Sequence, residues 1–127
     1  MTAVSDLSGA LLDLYVAKAE GLEFPEIHGE GDEAVVVYLH HEIPDDDGQW
    51  RHFMPSISWA DAGPLIDKYH VAVMRNRDGS WDAYTEGRCL HFGPEGKAEA
   101  LGETVQIAVC RAVVAHVFGK EVLDAGV

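Results

Sequence analysis

The chain has 127 residues, 47% of them hydrophobic, with 22 acidic and 9 basic side chains and a formal charge of −13. That size suits one domain that buries a core without disulfides or metal, and two cysteines are too few for a secreted disulfide framework, so Cys89 and Cys110 read as reduced thiols of a cytoplasmic protein. The acidity argues against direct nucleic-acid binding, which needs a basic stripe, and the longest apolar run, Ala34 to Leu39, falls far short of the roughly 20 residues of a membrane span.

The first six residues show no basic region followed by an apolar run, so no signal peptide is expected. A helix is predicted over 9–20. Ser8 is placed to cap it, Leu12, Val16 and Ala19 recur at helical spacing, and Lys18 and Gly21 suit its end. Residues 23–33, with Pro25, Gly29 and Gly31 among acids, read as a loop. Ala34 to His40 reads as a central strand, and Pro44 with Asp47-Gly48 turns the chain back into a partner strand from Trp50 to Met54.

Ser58 to Tyr69 reads as a second helix, with Ser58 as cap and Asp61 favouring the exposed amides of the first turn. Because an interior proline deletes a backbone hydrogen bond, a tight turn at Trp59 to Gly63 is expected, with the helix restarting at Pro64. His70 to Arg75 and Trp81 to Thr85 flank Asp78-Gly79 as a hairpin, and Arg88 to Phe92 reads as a weak further strand. Residues 93–103 read as a loop, after which Thr104 caps a long, largely buried helix ending at Gly119. No repeat or linker divides the chain, so residues 1–127 are expected to form a single α+β domain. Its order would be α-β-β-α-β-β-(β)-α, with three helices packed on a mainly antiparallel sheet of four or five strands.

The charge is concentrated. Residues 23–49 carry nine acids and no Lys or Arg, whereas 1–22 and 50–127 each sum to −2. Such a segment is ordinarily a pair of solvated loops that keep a protein soluble. The sharper readings are an acidic face for a basic partner, or a surface imitating DNA phosphates.

Catalytic and metal patterns fail on inspection. His40 and His41 are adjacent, so on a strand they point to opposite faces, and a His40–His52 pair across two strands would still need a third ligand. Asp45-Asp46-Asp47-Gly48 resembles a calcium loop, but its first and twelfth positions would be Ile43 and Met54. Cys89 and His91 match no nucleophile signature, and neither a Gly-x-Ser-x-Gly nor a phosphate-binding loop occurs. No cofactor or metal is called for. Trp50, Trp59 and Trp81 suit core or sheet packing, although Trp59, between Ser58 and Asp61, could line a pocket or anchor a partner.

Three strings, taken together, are unusual. They are Leu7-Ser8-Gly9-Ala10-Leu11-Leu12-Asp13 running on to Leu22, Pro55-Ser56-Ile57-Ser58-Trp59-Ala60-Asp61-Ala62-Gly63-Pro64-Leu65-Ile66-Asp67, and Arg111 to Val122. In order and position they resemble the NinX-like family of phages and prophages. The chain departs from it at Ala62-Gly63-Pro64, where the family has Gly-Gly-Pro, at Ser58, where it has an acid, and at Thr104-Val105, where it has Thr-Pro. The resemblance implies an α/β/α sandwich and a phage accessory protein in the host cytoplasm, with no catalytic residues to carry over. The expectation is a non-enzymatic module that binds a host or phage protein, with Ser58, Trp59 and Asp61 as the interaction site. The alternatives are a small-molecule binder or unrecognised enzyme with a pocket near Trp59 and Asp61, and a structural subunit. The oligomeric state is not legible.

Overall fold

The computed structural model describes residues 1–43, 45–86 and 98–124. Its class is α+β, as the element order predicts. The strands are divided among three small antiparallel sheets, where a single sheet of four or five is the expectation.

The first helix, α1 (Gly9–Ala19), follows a two-residue strand, β1 (Thr2–Ala3), and a short 3₁₀ turn. Ser8 holds the N-cap position with extended backbone, but its side chain caps nothing. The other end is a Schellman closure. Gly21, at φ +68°, takes the left-handed position, its amide donates to the Lys18 carbonyl and that of Leu22 to Ala17.

Strand β2 (Glu23–His28) occupies the segment read as a loop. Its proline and acids are tolerated because β2 is a sheet edge. The register slips between Glu23 and Glu26, where Phe24 sits at φ +49°, and a bulge on an edge strand can hold Pro25 without breaking a ladder. β2 pairs with β3 (Val35–His40), which pairs with β4 (Gln49–Phe53), close to the predicted bounds.

Helix α2 (Trp59–Lys68) is continuous through Pro64 and does not restart there. Pro64 and Ala60 both lie on the exposed side, so the Ala60 carbonyl that loses its amide partner can bond water. The hairpin of β5 (Ala72–Arg75) and β6 (Trp81–Thr85) turns on Asp78 and Gly79, with the Ser80 amide donating to Asp78 Oδ1 at 2.9 Å.

A third strand, β7 (Ala98–Gly102), pairs with β6 inside the stretch read as a loop. The glycine that suggests a loop is there for contact: a Cβ on Gly102 would lie 2.4 Å from the Ala108 nitrogen of the last helix. The weak strand at Arg88–Phe92 and the rest of the expected loop, 93–97, lie outside the described residues. The last helix, α3 (Val105–Phe118), is capped by Thr104, whose Oγ1 accepts from the Ile107 amide at 3.1 Å. β8 (Glu121–Val122) then pairs with β1 and brings the ends of the described chain together.

The sheet β2–β3–β4 packs on α1, α1 on α3, and α3 on β6 and β7, with α2 also against α3. One apolar cluster fills this stack. Leu7, Leu12, Val16, Val36, Val109 and Val113 are fully buried in it, as is the thiol of Cys110.

Candidate functional site

The turn from β4 into α2 is held by two carboxylates. Ser58 and Ile57 amides both bond the Met54 carbonyl, at 2.7 and 3.1 Å. Asp13, 3% exposed on α1, accepts from the Ser56 amide through Oδ1 (2.8 Å) and from the Ser56 hydroxyl through Oδ2 (2.9 Å). Asp61 Oδ2 accepts from the Met54 amide at 2.9 Å.

Burial penalises the charged form of Asp13 more than its bonds to Ser56 favour it, and Asp61 adds a like charge, so the carboxyl is pushed up to about 6. Burial also pushes the nearby Cys110 thiol well above its usual range, with the Asp13 charge adding to it. A carboxyl that titrates near neutrality is a usual mark of an active site. Here both oxygens are spent on Ser56, so Asp13 positions the turn.

The residues singled out by sequence therefore separate. Asp61 braces the Met54 amide instead of the amides of its own helix. Ser58 contributes only backbone, its carbonyl receiving the Asp61 and Ala62 amides. Trp59 is 56% exposed and Ile57 71% exposed, so the braced turn presents two apolar side chains to solvent. Asp13 and Ser56 fall within two of the unusual strings, but their pairing is legible only as an acid lodged between Leu12 and Leu14 of an apolar helix. Arg111 of the third string donates from Nε to the Leu7 carbonyl of the first at 2.9 Å. The three strings thus meet in space through bonds that hold the fold.

The second feature is the sheet β2–β3–β4. Pairing partners share a face, so Glu23, Leu39 and Trp50 lie in one row, Glu26, Val37 and His52 in the next, and His28 beside Val35. Val36, Tyr38 and Phe53 point the other way, into the core stack. Trp50 is 54% exposed on the outward face. On that face Val35 and Leu39 are half-buried and Val37 is buried, so its exposed apolar residue is Trp50, with Glu23 and Glu26 beside it. The same register puts His40 opposite Gln49 and His52 opposite Val37, so the two histidines lie on opposite faces and not toward each other.

The acids of 23–49 do not form one row. Glu30, Asp32 and Glu33 lie between β2 and β3, and Glu42 and Asp45 to Asp47 lie at the other end of the sheet, roughly 20 Å away along a six-residue strand. Several are used internally. Glu42 pairs with Arg51 at 3.1 Å. Asp46 accepts from the amides of Glu42, Ile43 and Gly48, and its Oδ1 lies 2.9 Å from His41 Nδ1. His41 Nε2 lies 2.9 Å from Glu23. The Asp46 bonds, then Glu23, raise His41 above its usual value. A split, partly neutralised set of carboxylates is a poor imitation of a phosphate row.

Concavities lined by described residues include ones of about 330, 260 and 250 Å³. The first of these lies beside β1 and β8, between Tyr15, Lys18, Phe118 and Leu123. The next lies between Val4, Leu101 and Lys120, and the last at the β3–β4 loop. None of the three is lined by Trp59 or Asp61. Among the described residues no cluster of three or more His, Cys, Asp or Glu could hold a metal ion, and no helix is long and apolar enough to cross a membrane.

No curated protein matches the chain significantly. The family model described as Bacteriophage P22, NinX matches residues 3–117, from β1 through nearly all of α3, taking in the first two unusual strings and the third as far as Val117. The chain is a member of the bacteriophage P22 NinX family.

Proposed function

We propose that this phage-family protein is an accessory factor that works by binding another protein, of host or phage origin, and not by catalysis. The observation that carries the reading is the outward face of β2–β3–β4: exposed Trp50 beside half-buried Leu39, bordered by Glu23 and Glu26, with exposed acids at both ends. An apolar centre inside a charged rim is the usual anatomy of a protein-binding patch, and the sign of the rim selects a basic partner. Trp59 and Ile57, on the braced turn, form a second contact. Ser58 and Asp61 serve it by setting the turn.

The test is capture of a partner by the immobilised protein at low and high salt, with Trp50→Ala, Trp59→Ala and Asp45→Asn/Asp47→Asn variants in parallel. The reading expects one defined partner, released by salt, weakened by loss of Trp50 and of the two acids. Retention unaffected by salt and by all three variants contradicts it.

A further inference from the structure

The sheet β2–β3–β4 has two free edges among the described residues, and they differ. A sheet edge exposes unpaired amides and carbonyls that invite another strand, and natural proteins blunt it with proline, bulges and charge. The β2 edge is blunted in this way. Pro25 has no amide to donate, Phe24 sits at φ +49° where the register slips, and Glu23 and Glu26 are both exposed.

The β4 edge has neither a proline nor a bulge. Gln49, Trp50, Arg51, His52 and Phe53 pair residue for residue with β3 without a slip, and contain no proline or acid. Gln49 to His52 are exposed, and among the described residues β4 packs against β3 and no other element to a comparable extent. The single cation on it, Arg51, is already matched by Glu42. What flanks the edge is negative: Asp45 and Asp47, both exposed, stand just before the strand.

We infer that the free edge of β4 receives an extended segment of the partner protein, added as a fourth strand. That segment is apolar where it crosses Trp50 and basic at the end beside the β3–β4 loop. The inference rests on the protein-binding reading above and specifies its geometry. Main-chain bonds to alternate residues of β4 supply affinity, and side chains next to Trp50 and the loop acids supply selectivity. A second copy of this chain is the poorer occupant, because each copy brings a charge of −13 to the seam.

The probe is a synthetic peptide with a valine–threonine–valine centre and two lysines at each end. Its control is the same peptide with every central amide N-methylated, which keeps the charge and removes the donors. The unmethylated peptide should bind and slow hydrogen exchange at amides within Gln49–Phe53. It should bind at least tenfold more tightly than the methylated form. Trp50→Ala should weaken it about two- to fivefold, the range of a cross-strand aromatic pair, and Asp45→Asn/Asp47→Asn should flatten its salt dependence. If both peptides bind equally and remain sensitive to the two acids, the acidic contact surface stands and strand addition fails. Protection at β2 instead of β4 also overturns the inference. If neither peptide binds, strand addition fails too, and the charge-based choice of partner loses its support.

Discussion

Replacing Asp13 with asparagine tests the account of the braced turn. The carboxyl is buried and pushed from 3.8 to about 6, so the folded chain holds its proton more tightly than the unfolded chain does. The sign follows: this contribution to stability is complete below the unfolded value of 3.8 and is lost as pH rises through about 6. At about 1.4 kcal/mol per tenfold change in proton affinity, the full loss is roughly 3 kcal/mol, of which roughly 2–3 kcal/mol falls between about pH 4 and about pH 7.5. Asp13→Asn keeps a carbonyl oxygen for the Ser56 amide and offers an N–H to the Ser56 hydroxyl, so the turn keeps its bonds while the titration disappears. Urea unfolding of both proteins across that range isolates the effect, because every other group titrates in both. The variant should gain on the wild type by roughly 2–3 kcal/mol as pH rises. A difference that stays flat with pH would refute the placement of an ionisable, desolvated carboxylate against Ser56.

Three further outcomes are expected. His41 should titrate above the ordinary 6.5 by NMR, and Asp46→Asn should lower its midpoint more than Glu23→Gln does. The raised value makes this clamp contribute stability below 6.5 and lose it as pH rises through the folded midpoint. Gly102→Ala drives a Cβ to within 2.4 Å of the Ala108 nitrogen, and should cost about 1–3 kcal/mol in urea unfolding. An unchanged midpoint would mean that β7 does not lie this close to α3. The Cys110 thiol, buried and raised, should resist alkylation in the native protein and react only as the chain unfolds, as followed by site-resolved mass spectrometry.

What the sequence reveals and conceals divides along sequence distance. α1, α3 and the β3–β4 and β5–β6 hairpins carry their own punctuation, in Gly21, Thr104, Asp47-Gly48 and Asp78-Gly79, so each is legible from a short window. β2 and β7 are strands because of what they pair with. Pro25 and the acids of β2 argue for a loop until the bulge and the edge position accommodate them, and Gly102 looks like a loop glycine until α3 is seen against it. The helical course of α2 through Pro64 depends on that residue facing solvent, which local sequence does not state. The division into three sheets and the β1–β8 closure are likewise decided by packing between distant segments. For the site, Trp59 stands out in sequence only as a candidate anchor beside a helix start, with core or sheet packing the first expectation, and the structure leaves it 56% exposed. The bracing role of Asp61 was not, because its partner lies back across the turn at Met54. Asp13 and Ser56 are 43 positions apart, and the outward face around Trp50 emerges only from the register of β2, β3 and β4.

The central claim is that the outward side of β2–β3–β4 is where a partner binds. Hydrogen–deuterium exchange on the protein alone and with its captured partner tests it most directly. The account predicts slowed exchange concentrated at residues 23–28, 35–40 and 49–53, with the protection reduced in the Trp50→Ala variant. Protection confined to the groove beside β1 and β8, between Tyr15, Phe118 and Leu123, with the sheet exchanging as in the free protein, would contradict it.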